Sequence, residues 1–447
     1  MSVRQLPLVG PPGRVHGPSF ARTKLSNGLT VVAVTKRDLP VVDVQLVVPA
    51  GAIRNRRETA GLASMTAEML DEGTAVRTAL ELSEAVDLLG ADLDVRVTWD
   101  ATLAGMHVLA PRFDDSLRLL AEFMLSPTFP AEELERKREE RLNALHQERD
   151  EPRVVAARTL ARAVFAGHPY GVPINGLQDP VRRMQRQDIE DDYRANFSPE
   201  NAFLVAAGDL DPDALFRLAE ELFGNWHTSA PRIETPALSP PRQRSIVLVD
   251  KPGAPQSEVR FGHPGPARNT PEYFPLIVAN TVLGGSFKSR LNMRLREDKG
   301  YTYGASSAFA FRKDGGAFNG GTAVFTDVTD DTIRITLDEV QRMAALGAEA
   351  DEVERARQYL AYGFARNLEM TADLVTALSD VLLYELPDDY LDRYSDNVLS
   401  VGVEEVRAAA SKWLDPEHLT IAVVGDRARI EEPLRKLGIP LEVWEVE

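Results

Sequence analysis

Hydrolysis of a peptide bond by a zinc protein needs three protein ligands, an open position for water and a carboxylate that takes the proton from that water. On a helix, the pattern His-x-x-Glu-His sets two histidines four apart on one face with the base beside them. The chain has seven histidines, His16, His107, His146, His168, His227, His263 and His418, and no two lie close enough for that spacing. It has no cysteine, which removes disulfides, thiolate metal sites and a cysteine nucleophile together. Any metal would have to be held by His, Asp or Glu. His168 in "GHPYG" is the most suggestive single histidine, and the simpler expectation is a loop histidine bonded to backbone near a Pro-Tyr turn. Ser64 in "GLASMTAEMLDEGT" has no G-x-S-x-G elbow around it and reads as a small packing residue on a helix face. Gly284 and Gly285 in "GGSFKSRLN" lack the Lys-Ser/Thr of a phosphate loop, so they mark a tight turn before the helix that carries Arg290 and Leu291.

These residues need elements to position them. At 447 residues the chain is long enough for two or more domains with sizeable cores. Hydrophobic residues make up 44% and charged residues 27%, the balance of an ordinary globular protein. The net charge of −17 repels phosphate backbones, so nucleic acid is not an expected partner. No apolar window is long enough to span a membrane. The opening residues 1–20 lack the apolar core of a secretory signal and read as a flexible Pro/Gly arm, which makes a cytoplasmic location the expectation, or a periplasmic one if a leader was trimmed.

Internal repeats organise the remainder. "SPENAFLVAAGDLDPDALFRLAEELFG" from Ser198 and "DPEHLTIAVVGDRARIEEPLRKLGI" from Asp415 share one plan: turn, apolar strand, Gly-Asp, helix. At nearly the same offset "EELER" at Glu132 returns as "DEVER" at Asp351, each opening a long helical pattern. Two matches in register imply a duplicated domain of about 200 residues. Between the copies, residues 227–244 contain Pro231, Pro236, Pro240 and Pro241 and read as a linker. The expected division is an arm at 1–20, a first domain at 21–226, the linker, and a second domain at 245–447. Strand runs followed by helix runs indicate α+β, each half an antiparallel sheet with helices packed on one face. The helix in 61–74 keeps an apolar face through Leu62, Met65, Met69 and Leu70, with Gly73 as its stop.

Taken in order, "NGLTVV", "ETAGLASMTAEMLDEGT", "HPYGVPINGLQDPVRRM", "FSPENAFLVAAGD" and "VLGGSFKSRLNMRLREDKGYTYG" resemble the pitrilysin/insulinase-type zinc peptidases, and more narrowly the processing-peptidase branch in which two such chains pair. The resemblance covers nearly the whole chain after residue 20. It implies that the helix after "G-L-A" should carry His-x-x-Glu-His, completed by a downstream glutamate. Those positions fall here on Ser64, Ala67 and Glu68, with the distal ligand near Ala144, so both histidines, the base and the glutamate are missing. The resemblance also implies an arginine and a tyrosine seven apart that act on substrate opposite the zinc. The best register assigns them to Arg296 and Tyr303; Arg294 and Tyr301 have the same spacing. A tyrosine hydroxyl can donate to the oxyanion formed on a peptide carbonyl, and a guanidinium can hold a neighbouring carbonyl with paired donors. The implied function is that of a zinc-free subunit of a heterodimeric metallopeptidase. It would bind no cofactor itself, its zinc-bearing homologue would be the partner, and Arg296 and Tyr303 would act in trans on a peptide held by strand addition. The alternative is a non-catalytic structural or peptide-binding homodimer of the same superfamily.

Overall fold

The computed structural model describes residues 16–228, 235–238 and 240–447. Most of the expected arm and part of the expected linker therefore lie outside the described residues. The strands arise where β-branched runs can be buried: β1 (Ala21–Lys24), β2 (Thr30–Thr35), β3 (Val41–Val48), β4 (Asp92–Val97), β5 (Thr102–Leu109) and β6 (Phe203–Gly208) form one sheet. The second sheet holds β7 (Ser245–Asp250), β8 (Gln256–Gly265), β9 (Ala305–Ala310), β10 (Gly316–Phe325), β11 (Thr420–Gly425) and β12 (Leu441–Trp444). Five positions of their orders correspond, β2-β6-β3-β5-β4 with β7-β11-β8-β10-β9, while the end strands differ: β1 opens its half and runs antiparallel to β2, and β12 closes its half and runs parallel to β7. The repeat is thus structural: β6 and β11, the two strands that end in Gly-Asp, occupy the same place in their sheets.

The fold is two α+β domains, and the sheets are mixed where antiparallel ones were expected. β2 runs parallel to β6, and β7 runs parallel to both β11 and β12. Short turns close only the antiparallel pairs β1–β2, β4–β5 and β9–β10. The parallel pairs are joined only after most of a domain has intervened, which is enough chain to return in the same sense.

Helices do not keep to one face either. Inner faces of the two sheets pack against helices of their own half: α1 (Leu62–Glu68) and α2 (Phe113–Leu125) help close the first core. α3 (Ala131–Glu148) follows, then α4 (Pro152–Val164) and α5 (Arg186–Asn196). In the second half α6 (Thr329–Leu346) and α7 (Ala350–Gly363) cover the inner face, and α8 (Thr371–Leu383) leaves it. The outer faces are covered reciprocally. Leu374, Val375, Leu378 and Val381 of α8 pack on Val32, Val34, Val205 and Ala207 of the first sheet. Val155 and Ala156 of α4 pack on Val249 and Val424 of the second, and Leu160 and Val164 on Ala317 and Ala422. Each such Val or Leu contributes about 1.5–3 kcal/mol when fully buried, so this exchange of helices binds the halves into one body. α1 is also shorter than the sequence pattern suggested: its last helical residue is Glu68, five positions before Gly73.

Candidate functional site

α1 and α3 carry the positions where a metal site would be built. Ser64 and Ala67 are buried, Glu68 is 40% exposed at its side chain, and Ala144 is exposed. The Ser64 hydroxyl lies 3.1 Å from Gly61 O and 2.9 Å from Ile174 O. Between them reaches a residue that no sequence motif marks. Arg141, on α3 one turn before Ala144, is only 6% exposed and donates from Nη1 to Ser64 Oγ at 2.9 Å and to Asn175 O at 2.7 Å. Its Nη2 donates to the Glu68 carboxylate. A guanidinium thus occupies the space that joins the first two ligand positions, already neutralising Glu68.

The residues present do not fit the zinc ion that this arrangement of helices implies. Ser64 is committed to backbone and to Arg141, Ala67 offers a methyl group in place of a base, and the fixed positive charge of Arg141 opposes a second cation at the same point. Among the described residues no group of three His, Cys, Asp or Glu side chains has metal-binding geometry.

Beside α1 runs β4, which pairs with β5 on one side only and forms the end of its sheet. A cavity of about 690 Å³ opens there, lined by Glu68, Asp71, Glu72, Asp92, Arg136 and Lys137 among others. Burial pushes the Asp71 carboxyl up, reinforced by the charge of Glu72. Burial also acts to raise Glu72, but hydrogen bonds from Lys137 and Arg136 outweigh it and hold that carboxyl below its ordinary value. Behind α1, burial pushes Asp192 on α5 up to about 6, against the lowering effects of Arg54 and the Asn196 amide.

The second half presents the arginine and tyrosine candidates on one segment. Arg290 anchors it: its Nε donates to Glu352 Oε1 at 2.9 Å and its Nη2 to Glu352 Oε2 at 2.5 Å, so the repeated "DEVER" supplies the carboxylate. Gly284 and Gly285 do not form the tight turn read from the sequence but end a widened helical turn, Thr281–Gly285, packed so closely on β9 that a Cβ on Gly284 would lie 2.3 Å from Ser307 Oγ. The following residues Met293–Asp298 form a widened helical turn. Here the two registers separate. Arg294 donates to buried Glu339 at 3.0 Å, and the Tyr301 hydroxyl donates to Asp331 at 2.9 Å, which raises its pKa. Both are tied into the protein. Arg296 instead stacks its guanidinium 4.3 Å from the centre of the exposed Phe287 ring, with Glu297 the nearest acid at 3.6 Å. Tyr303 is 93% exposed. It stands at the tip of a turn pinned by Thr302 and Thr322, whose hydroxyls both bond Gly304 O at 3.0 Å.

His168 is where the simpler expectation put it. Its Nδ1 accepts from the Tyr170 N–H at 3.1 Å, leaving Nε2 to donate to Pro236 O at 2.9 Å, and burial lowers its pKa. That bond draws the described part of the linker against the junction of the halves.

A profile described as "Insulinase (Peptidase family M16)" matches residues 30–177, and one described as "Peptidase M16 inactive domain" matches residues 183–360. The chain is 27% identical over 423 residues to an uncharacterized zinc protease of Mycobacterium tuberculosis, covering 93% of this chain and 96% of that protein. It is 24% identical over 424 residues to the mitochondrial-processing peptidase subunit beta of Lentinula edodes, covering 92% and 91%. Among solved structures, a peptidase M16 inactive domain from Pseudomonas fluorescens superposes with a TM-score of 0.86 at 24% identity, covering 91% of this chain and 98% of that one. A protease from Helicobacter pylori reaches the same TM-score at 20% identity, covering 91% and 99%. Two family profiles in sequence order, relatives aligned almost end to end and the shared two-sheet architecture lead to one conclusion: the chain belongs to the insulinase family, peptidase family M16.

Proposed function

We propose that this chain is the zinc-free subunit of a two-chain metallopeptidase, whose partner is a homologue bearing an intact His-x-x-Glu-His helix. The observation that carries this reading is the contrast between the two tyrosines. Tyr301 is consumed by Asp331, whereas Tyr303, with 93% exposure and no hydrogen-bond partner among the described residues, is held by a rigid turn and offers its O–H outward. Arg296 makes no side-chain hydrogen bond among the described residues, its one acidic neighbour being Glu297 at 3.6 Å. In the complex Tyr303 donates to the scissile carbonyl oxygen as negative charge develops there, and Arg296 holds an adjacent substrate carbonyl. The substrate is an extended peptide. The free edge of β4 offers main-chain donors and acceptors to such a segment without strict sequence demands. The relative named as a processing-peptidase subunit supports a paired assembly.

Co-expression with a homologue carrying the intact motif tests this. Peptide hydrolysis is expected only from the pair, and it should fall when Arg296 and Tyr303 are both replaced. Full activity from the double variant would leave this chain a scaffold, and the structural homodimer would then be preferred.

A further inference from the structure

The outer face of the second sheet is only partly covered. α4 shields β11 and part of β8, and beyond it a cavity of about 590 Å³ lies over β8, β10 and β9, within the roughly 300–1,000 Å³ range usual for ligand sites. Its lining is basic in a chain that is otherwise strongly acidic. Arg153, Arg260 and Arg312 face it, against a single carboxylate, Glu258, which lies 2.9 Å from Arg260. Arg153 has no ion-pair partner among the described residues, and burial together with its charge lowers the pKa of Arg260. Arg312 sits among the rings of Tyr170, Trp99 and Phe165, 4.2, 4.6 and 5.3 Å from their centres, and its Nη1 is buried with no acceptor. Asp100 offsets part of that charge, yet its oxygens are engaged by the hydroxyls of Tyr170 and Tyr384 and the N–H of Lys313. Gly321 makes the arrangement possible, since a Cβ there would stand 2.3 Å from Arg260 Nη1 and 2.6 Å from its Cδ. The bare backbone lets that side chain lie flat over β10. Gly304, next to Tyr303, is on the rim.

We infer that this cavity is a carboxylate-binding subsite, in which Arg153 and Arg260, backed by the buried charge of Arg312, receive a carboxylate of a peptide whose chain continues past Tyr303. The inference deepens the proposed function, because it takes the ligand to be the same peptide. Paired guanidiniums match the two oxygens of a carboxylate, and the shallow cleft between α4 and the sheet suits a chain end or a single acidic side chain. A polyanion is disfavoured by the net charge of −17.

The test uses the full chain without any partner, so that it is independent of hydrolysis. Binding of a fluorescein-labelled decapeptide is measured by anisotropy in three forms: free C-terminal acid with one internal Glu, C-terminal amide with that Glu, and free acid with the Glu replaced by Gln. About tenfold weaker binding of the amide identifies a chain-end carboxylate, and the same loss for the Gln peptide identifies an acidic side chain. In either case Arg153→Gln and Arg260→Met should each erase the difference. Arg153 is exposed, so its variant cannot fail merely by unfolding. Equal affinity for all three peptides, or a difference that survives both variants, overturns the inference. Failure of the reconstituted pair to hydrolyse peptide would overturn the proposed function while leaving this binding result intact.

Discussion

Removing Arg141 should loosen α1 more than any other single change at the degenerate ligand positions. Arg141→Ala deletes hydrogen bonds to Ser64 Oγ, Asn175 O and the Glu68 carboxylate from a guanidinium that is 6% exposed. Ser64 keeps Gly61 O and Ile174 O within reach, so its loss is small. Asn175 O loses its charged donor, which costs about 1 kcal/mol because Asn175 is an exposed residue and water can replace the donor. Glu68, at 40% exposure, can turn to water, so its share is discounted to about 1 kcal/mol. The packing of the arginine stem adds to this, and a total near 3 kcal/mol follows. At about 1.4 kcal/mol per decade, amide hydrogen exchange within Leu62–Glu68 should accelerate roughly 100-fold in the full chain, with exchange in α8 unchanged. A double-mutant cycle with Glu68→Gln should show a coupling of about 1 kcal/mol. Acceleration below about threefold would refute the reading of Arg141 as the tie between α1, α3 and the loop at Ile174–Asn175.

The same residue bears on metal binding. The natural chain is expected to retain only substoichiometric zinc by elemental analysis. Grafting Ser64→His, Ala67→Glu, Glu68→His and Ala144→Glu should confer zinc binding only when Arg141→Ala is added; zinc bound by the graft with Arg141 present would show that the guanidinium does not exclude it. In the reconstituted complex Tyr303→Phe should lower kcat about 100- to 1000-fold with little change in binding, and Arg296→Ala should raise KM as well, read by steady-state peptide hydrolysis. Asp192 gives a pH signature. Its folded carboxyl is pushed up to about 6, above the unfolded value of 3.8, so the native state holds that proton more tightly. The associated stability is full below the unfolded value and is lost as pH rises through about 6. Asp192→Asn should therefore raise stability at pH 8 by up to about 3 kcal/mol and change little at pH 4, as thermal melting at the two pH values would show. Equal melting shifts at both would remove burial of Asp192 as the cause.

Much of this was written locally in the chain. The duplication was visible because "FLVAAGD" and "TIAVVGD" each encode one apolar strand ended by Gly-Asp, and a short-range pattern suffices to mark a buried central strand. The absence of a His-x-x-Glu-His pattern was equally legible, since histidines four apart are a fact of spacing alone. Three matters were decided only by the tertiary structure. Both Arg/Tyr pairs share a spacing of seven, and only the neighbours of Arg294 and Tyr301, Glu339 and Asp331 from α6, separate the pair tied to that helix from the pair that is not. Arg141 looks like any arginine of a charged helix until the fold brings α3 against Ser64 and Glu68, more than seventy positions earlier in the chain. The crossing of α4 and α8 onto each other's sheets was invisible for a related reason. An amphipathic stretch specifies that a helix must bury one face, but both sheets offer an apolar outer surface, and only the path of the connected chain determines which surface each helix reaches.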